Sequence, residues 1–561
     1  MVTDTASSSS TGSTAATAAA GTGNAAPKVF IYDTTLRDGA QGAGISFSDT
    51  GKIRFARMLD EFGVDFIEGG FAGSNPRDME FFKHFAKSNR RRDTLKHAQI
   101  VAFGSTRRPE LTAKTDPQIA ALLATGTHHV TIYGKSSLLH VTKVLRTTPK
   151  NNLELVADTV DFLHSRNFRE VFFDAEHFFD GYKLDPDYAL AVLRAAAGAG
   201  AAALVLCDTN GGTLPNEIFD ITAAARAALP GVPLGIHTHN DAGLAVANTL
   251  EAVRAGATQV QGTINGYGER TGNADLVAII PALELKMGRA TVGAARLRTL
   301  RALSRETAEL VSQRPDRRQP YAGDDAFSHK AGAHANAVGK NPATFEHVPP
   351  ESVGNSRHVL VSELSGAANI ALKAGELGVD ISGAGKAEIR AALATVKERE
   401  ARGYSYESAD GSFKVLLQKT LGAGGEPFAL EGFRVIVEKR GPAEPCISEA
   451  TVKVRVGDAS ELAAGEGGGP VDALHEALCG ALARFYPAAR DVTLTDYRVR
   501  ILNPEAATGA LTRVLVESSD GTAHWSTVGV SENIIEASWQ ALLDSIEYKL
   551  RLAPPSRNAG H

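Results

Sequence analysis

The sequence predicts an α/β chain built on a TIM (β/α)8 barrel, followed by a helical connector and a C-terminal α+β domain. Three observations carry the barrel. From Lys28 onward, short β-like runs alternate with stretches whose apolar residues recur at three- and four-residue spacing. Eight such strand-then-helix repeats occupy about 260 residues, close to the usual length of this fold. Each dense polar motif falls at the C-terminal end of a run or just after it, where active sites of this barrel are assembled.

In order along the chain, residues 1–27 are almost wholly Ala, Ser, Thr and Gly and read as a disordered tail. They contain no arginine, no basic start and no sustained apolar run, which argues against a transit peptide, a secretory signal or a membrane span. The β-like runs lie at 29–34, 66–70, 99–104, 129–133, 170–175, 203–208, 234–239 and 259–265, with helical patterns such as 49–62, 153–166 and 187–197 between them. Residues 28–290 are therefore the expected catalytic barrel. Residues 291–425, rich in Ala, Arg and Glu, read as the helical connector.

From 426 to 555 the pattern changes. Val452, Val454 and Val456 alternate with Lys453 and Arg455, and Tyr497, Val499 and Ile501 alternate with Arg498 and Arg500, as in half-buried antiparallel strands. Two amphipathic helices are expected, one carrying Val471, Leu474, Leu478, Leu482 and Phe485, the other Ile535, Trp539, Leu542, Ile546 and Leu550. The glycine-rich stretch 465–474 precedes the first of them. Its spacing matches neither a P-loop nor a dinucleotide fingerprint, so it is a weak anion site at most.

With 561 residues, 43% of them hydrophobic, the chain has room for more than one core. A net charge of −5 gives no electrostatic reason to expect nucleic acid or a membrane as partner. The three cysteines, Cys207, Cys446 and Cys479, are widely separated. That argues against a disulfide framework or thiolate zinc site and favours the cytoplasm.

His237 and His239 stand two apart on the seventh run, so both imidazoles point the same way. Asp38, beside Arg37, is expected at the end of the first strand, Glu68 at the end of the second, Asp174 and Glu176 of the fifth, and Asp208 and Thr209 of the sixth, while 265–273, ending in Asn273, follows the eighth. Runs one and eight are neighbours only if the barrel closes, and closure brings Asp38 to the two histidines. Asp38, His237, His239 and Asn273 then form a four-ligand set of oxygen and nitrogen donors suited to Zn2+, Mn2+, Mg2+, Co2+ or Fe2+. Two histidines and a carboxylate also describe an iron oxygenase, although those enzymes usually use another β-barrel, and the pair alone could be hydrogen-bonded rim residues.

The segments Tyr-Asp-Thr-Thr-Leu-Arg-Asp-Gly (32–39), Leu-Gly-Ile-His-Thr-His-Asn-Asp (234–241) and Asn-Gly-Tyr-Gly-Glu-Arg-Thr-Gly-Asn (265–273), in this order, resemble the α-acyl-CoA Claisen synthases, which include 2-isopropylmalate, homocitrate and citramalate synthases. The resemblance runs from Val29 to about Leu552. It implies a divalent metal on the four ligands, polarising a 2-oxo acid, with Arg37 stabilising the developing oxyanion. Arg37 could instead serve as a salt bridge to Asp38 or Glu68. Gln41 matches a position close to the substrates, Thr209 one that binds the 2-oxo acid carboxylate, and Glu176 the active-site glutamate. His334, within 327–337, matches the catalytic histidine of the Claisen step, delivered from the partner subunit of a swapped homodimer. His329 and Lys330 nearby could contact CoA phosphates or face solvent.

Ile-Glu-Gly-Gly-Phe-Ala-Gly-Ser-Asn-Pro-Arg-Asp (67–78) and Asp-Ala-Glu-His-Phe-Phe-Asp-Gly-Tyr (174–182) look like the citramalate branch, which implies pyruvate and acetyl-CoA as substrates. The 2-isopropylmalate branch usually has Glu-Val-Gly-Phe-Pro in the former place. Stretches 465–474 and 526–539 resemble a regulatory domain that senses a branched-chain amino acid, implying isoleucine as inhibitor; the alternative is a dimerisation module without effector. An acyl-CoA lyase of the same barrel depends on a cysteine in a glycine-rich loop, and the loop from Gly266 to Gly272 has none. A non-catalytic sensor would be expected to have lost the ligand set.

Overall fold

The computed structural model describes residues 26–73, 76–86, 95–166, 168–330, 332–360, 366–422 and 425–552. Of the expected tail only Ala26 and Pro27 fall among them, and the Pro27 carbonyl accepts a hydrogen bond from Ala290 N at 3.0 Å. Among the described residues no helix is long and apolar enough to cross a membrane.

Eight parallel strands close into a barrel in sequence order: β1 Phe30–Asp33, β2 Phe66–Phe71, β3 Gln99–Ser105, β4 His129–Lys135, β5 Glu170–Glu176, β6 Ala203–Asp208, β7 Leu234–Thr238 and β8 Gln259–Gly262. The closing seam pairs β1 with β8 from Phe30 opposite Gln259 to Asp33 opposite Gly262. Three helices between strands start where a capping side chain precedes a proline. Asp116, Thr148 and Asp185 each accept from a backbone N–H of the first turn, just before Pro117, Pro149 and Pro186.

The interior of the barrel is layered by the two-residue period of its strands. Tyr32, Phe66, Val101, Phe172 and Ala203 make an apolar floor, with the Phe66 and Phe172 rings 5.1 Å apart, edge to face. Two residues further along β2 and β5 stand Glu68 and Asp174, and a further step along β5 reaches Glu176. The floor excludes water below, and the next layers carry the polar groups.

The chain divides into one compact unit of Met1–Asp316 with Pro320–Ala322 and a second of Arg317–Gln319 with Gly323–His561. The second unit contains a two-stranded parallel pair, β9 Ser328–His329 and β10 His358–Val359. Two antiparallel sheets follow, β11 Ala429–Glu438, β12 Ile447–Val456 and β13 Ala459–Gly467, then β14 Thr493–Ile501, β15 Thr512–Ser519 and β16 His524–Ser531. Helix Pro470–Ala483 follows the first and helix Ile534–Leu552 the second. Val452 and Val454 pack with Leu474, Leu478, Leu482, Trp539 and Ile546 in one buried cluster. Helix Asp410–Thr420 packs beside β16, where Val528 N donates to Ser412 Oγ at 2.9 Å.

The structure corrects four local expectations. β8 stops at Gly262 because Ile264–Gly266 turns into a 3-10 helix, in which Asn265 adopts a left-handed φ of 63° and is held by Ser304. Asp38 lies beyond β1, which ends at Asp33, and Glu68 sits inside β2, fully buried, not at its end. The stretch from Gly465 is partly strand β13. A Cβ on Gly465 would lie 2.5 Å from Ala477 N, and one on Gly467 2.5 Å from Ala473 N, so these glycines admit a helix at close range. The turn's Gly468 N–H already donates to the Asp472 carboxylate at 2.9 Å, which disfavours an anion there.

Replacing Gly465 with Val forces helix Pro470–Ala483 off the sheet. It is expected to destabilise the second unit by about 1–3 kcal/mol, seen as a lower urea midpoint at unchanged slope.

Candidate metal and substrate site

Three loops on one rim of the barrel meet at the ligand cluster. After β1 the chain turns tightly, with the N–H groups of Arg37, Asp38 and Gly39 all directed at the Thr34 carbonyl. This turn presents Asp38 inward. β7 supplies His237, and His239 follows directly after it, its backbone bridged to Asn273. Asn273 N donates to the Gly266 carbonyl at 3.1 Å, closing the loop after β8.

Asp38 Oδ2 is 3.3 Å from His237 Nε2 and 3.9 Å from His239 Nε2, and the two Nε2 atoms are 3.2 Å apart. All three residues are buried. Three convergent donors at such spacing could hold a divalent metal. Asn273 donates through Nδ2 to the Tyr267 carbonyl at 3.1 Å, whereas its buried Oδ1 has no hydrogen-bond partner among the described residues. Behind the cluster, His237 Nδ1 is 3.1 Å from Gln261 Oε1, and Gln261 Nε2 donates to Asp174 Oδ1 at 3.1 Å. With Gln261 as acceptor the proton of His237 belongs on Nδ1, leaving Nε2 free to bind.

Burial dominates the electrostatics. It opposes the charge on Asp38, but Arg37 and the hydrogen bond from His237 outweigh it and hold the carboxyl well below the usual range. Burial also lowers His239, to about 4, so this imidazole is neutral and available as a ligand. For His237 burial is outweighed by Asp38, through hydrogen bond and charge, and the ring is raised. Asp174 is pushed up to about 7 by burial and by the charge of Glu68.

A cavity of about 230 Å3 opens over the cluster, and Arg37, Gln41, Glu176 and Thr209 line it. Arg37 Nε donates to Glu68 Oε2 at 2.6 Å, one guanidinium nitrogen is 3.4 Å from Asp38, and the group lies 3.8 Å above the Phe103 ring. The salt-bridge reading of Arg37 is thus realised as the brace of a cavity-lining guanidinium. Tyr32 and Thr34 hydroxyls also donate to Glu68. Glu176 is paired with Lys135, and Thr209 Oγ1 accepts from His177 N at 2.8 Å. Sequence reasoning misses Gln261, Lys135, Phe103, Tyr133 and Arg270 as site residues. The polar alternation of Gln259 and Gln261 on an otherwise apolar strand is the available signal for Gln261. Arg270 ties three loops together, donating to both Asp241 carboxylate oxygens, at 2.8 and 3.0 Å, and to the Thr209 carbonyl at 2.9 Å.

His334 belongs to the second unit, exposed on helix Gly332–Lys340, with its ring 4.2 Å from that of Phe345. His329 Nε2 is 3.1 Å from Glu346 and Lys330 Nζ 2.5 Å from Glu407, so both carry internal ion-pair contacts.

A closed barrel with a carboxylate and two histidines gathered at the C-terminal ends of its strands marks an enzyme of the HMGL-like class, and residues 28–304 match the HMGL-like family model. Residues 322–403 match the homocitrate synthase post-HMGL domain-like model and 407–550 the LeuA allosteric (dimerisation) domain. The (R)-citramalate synthase of Geobacter sulfurreducens is 50% identical, over 93% of this chain and 97% of its own length. That of Aquifex aeolicus is 49% identical over 94% and 98%. A 2-isopropylmalate synthase of Pyrococcus furiosus is 31% identical over 93% and 99%. The chain belongs to the (R)-citramalate synthases of the 2-isopropylmalate synthase family.

Gln261→Leu removes the brace on His237 and is expected to weaken metal binding about 10–100-fold in chelator competition, with the fold retained. Because His237 is raised and His239 lowered, one imidazole proton competes with the metal. Affinity should therefore fall as pH drops through the range just above an ordinary histidine pKa. Calorimetry at pH 6 in buffers of different ionisation enthalpy should register a released proton that diminishes by pH 8.5.

Proposed function

We infer that the protein is an acyltransferase that condenses acetyl-CoA with pyruvate and water, giving (R)-citramalate and CoA, an entry to isoleucine biosynthesis. The observation that carries this is near-half identity to (R)-citramalate synthases across almost the whole of both chains. The intact cluster of Asp38, His237 and His239 supports it. We assign catalysis to 28–290, the connector to 291–425 and regulation to 426–555.

The donor set of two imidazoles and a carboxylate fits a divalent cation, and the unpartnered Asn273 Oδ1 beside His239 supports Asn273 as fourth ligand. Mn2+, Mg2+, Zn2+ and Co2+ are all compatible with these donors. When bound, the ion supplies Lewis-acid polarisation of the pyruvate carbonyl. Thr209 contributes a hydroxyl for the pyruvate carboxylate, and Gln41 a further polar contact on the cavity wall. Arg37, locked between Glu68 and the Phe103 ring, offers charge-assisted donors where negative charge develops.

His334 of the partner subunit takes a proton from the acetyl-CoA methyl group, and the resulting carbon bonds to C2 of pyruvate. The former keto oxygen gains a proton to become the hydroxyl of citramalyl-CoA. Glu176, held by Lys135, orients or relays that proton. Water then displaces CoA from the thioester. The LeuA allosteric (dimerisation) match supports a homodimer with an amino-acid effector, and isoleucine, as end product, is the proposed inhibitor.

The test is CoA release by metal-supplemented enzyme with acetyl-CoA and pyruvate, 2-oxoisovalerate or 2-oxoglutarate. Pyruvate should be preferred, and His237→Ala should lower turnover at least a hundredfold. Preference for a larger acceptor would overturn the substrate assignment; inactivity with all three would overturn the synthase assignment. His334→Ala should also abolish turnover, with activity returning when it is mixed with His237→Ala, since a hybrid dimer has one site with both residues intact.

A further inference from the structure

Thr209, which contributes a hydroxyl for the pyruvate carboxylate in the reading above, directly follows β6. Its backbone is held by Arg270, which donates to the Thr209 carbonyl at 2.9 Å. Its side chain is held from the neighbouring strand. His177 N donates to Thr209 Oγ1 at 2.8 Å, between the ends of β5 and β6. A hydroxyl has two lone pairs and one proton. With one lone pair occupied by the amide, the threonine is held in one orientation and its proton remains to be given to an anion.

That amide is aimed by an uncommon turn. His177 follows Glu176, the last residue of β5, and precedes helix Phe178–Leu184, with φ 56° and ψ 36°. Few side chains enter this left-handed region; histidine and asparagine do so more readily than most, and a β-branched residue there is an outlier. The imidazole takes part in holding the turn. It lies face to face with His140, on helix Leu138–Lys143, with ring centroids 3.8 Å apart and planes 12° from parallel. Its Nδ1 is 3.5 Å from Asp180 Oδ2, which accepts from Asn210 Nδ2 at 2.6 Å. The backbone of His177 therefore contacts Thr209, while its ring reaches Asn210, the next residue, through Asp180. Glu176 and Thr209 line the cavity over the ligand cluster, whereas His177 and His140 stand behind it.

We propose that His177 is a positioning residue for the 2-oxo acid. Its left-handed backbone, held by the stack on His140 and the contact with Asp180, presents the N–H that orients the Thr209 hydroxyl toward the acceptor carboxylate. The role belongs to the amide, and the ring keeps the amide in place. This inference rests on the reading of Thr209 as the carboxylate's donor. The carboxylate of the acceptor is unchanged by the condensation, so a contact to it is made equally in ground and transition states. Its loss registers in KM more than in kcat.

The experiment measures kcat, the pyruvate KM and the acetyl-CoA KM of the metal-supplemented, full-length enzyme. Thr209→Val, which removes the hydroxyl at nearly constant volume, sets the scale of the loss. Expected for His177→Val is a pyruvate KM raised about tenfold or more, with kcat and the acetyl-CoA KM within about threefold of the unaltered enzyme. His177→Gly and His177→Asn, which enter the left-handed region more easily, should keep the pyruvate KM within about threefold. Combining Thr209→Val with His177→Val should be no worse than Thr209→Val alone, since both act through one hydroxyl. An unchanged pyruvate KM in His177→Val would overturn the proposal. Equal losses in the Gly, Asn and Val variants would also overturn it, because they would assign the role to the imidazole, as would additive effects in the double variant. If His177→Val does not fold, His177→Ala is set against His177→Gly instead, since alanine meets the left-handed penalty that glycine escapes. Inactivity of the unaltered enzyme with every acceptor would sink the synthase reading and this inference with it; an active enzyme whose variants keep the same pyruvate KM would sink this inference alone.

Discussion

Closure of the barrel between β1 and β8 is the constraint on which the site depends. Asp38 and His237 are separated by nearly two hundred positions, and only the seam from Phe30–Gln259 to Asp33–Gly262 makes their loops neighbours. The seam continues into the rim: Thr34 N donates to the Gly262 carbonyl at 2.9 Å, and Ile264 N to Thr35 Oγ1 at 2.9 Å. Thr35 is held in turn by Asp33, through its N–H at 3.0 Å and its hydroxyl at 2.8 Å. Backbone pairing of the barrel thus passes directly into the turn that aims Asp38.

Several buried carboxyl groups lie close to the Arg37 guanidinium. Asp38 and Glu68 both approach Arg37, while Asp33 and Asp174 are each raised to about 7, chiefly by burial. A low-dielectric site with more acidic than basic groups favours an additional positive charge. The carboxylate nearest the histidines, Asp38, is also the one held strongly ionised. The ionised Asp38 and the donor geometry are both compatible with a cation at the cluster.

What is legible in the sequence follows from periodicity. His237 and His239, like Asp174 and Glu176, are two apart, and a strand's alternation places each pair on one face from spacing alone. Alternation cannot reveal which residue of a neighbouring strand meets that face. The alternation of Gln259 and Gln261 marks Gln261 as unusual for its strand, but its partner His237 emerges only when β7 and β8 pair. The polar residues after Asp33 continue the β-like pattern and so extend the apparent strand to Asp38, whereas repeated hydrogen bonding to the Thr34 carbonyl ends β1 early. The glycines at 465 and 467 resemble a ligand loop because composition does not distinguish a glycine needed for a turn from one needed for close helix packing. Only the distance from β13 to the backbone at Ala473 and Ala477 separates the two.

The cavity wall and the arginine proposed for catalysis share one support. The Phe103 ring stacks on Tyr133 with centroids 5.5 Å apart, and the Arg37 guanidinium lies 3.8 Å from the centre of the same ring, so one side chain both shapes the space and supports the charge. A methylene in an apolar pocket changes binding by only about 1–3 kcal/mol, so walls that merely attract discriminate weakly among 2-oxo acids. Rigid exclusion discriminates more, and rigidity here comes from contacts that also brace Arg37. Enlarging the cavity at Phe103 would remove the surface beneath the guanidinium and leave Glu68 as its main support. If Arg37 stabilises an oxyanion as proposed, enlarging this position would work against that role.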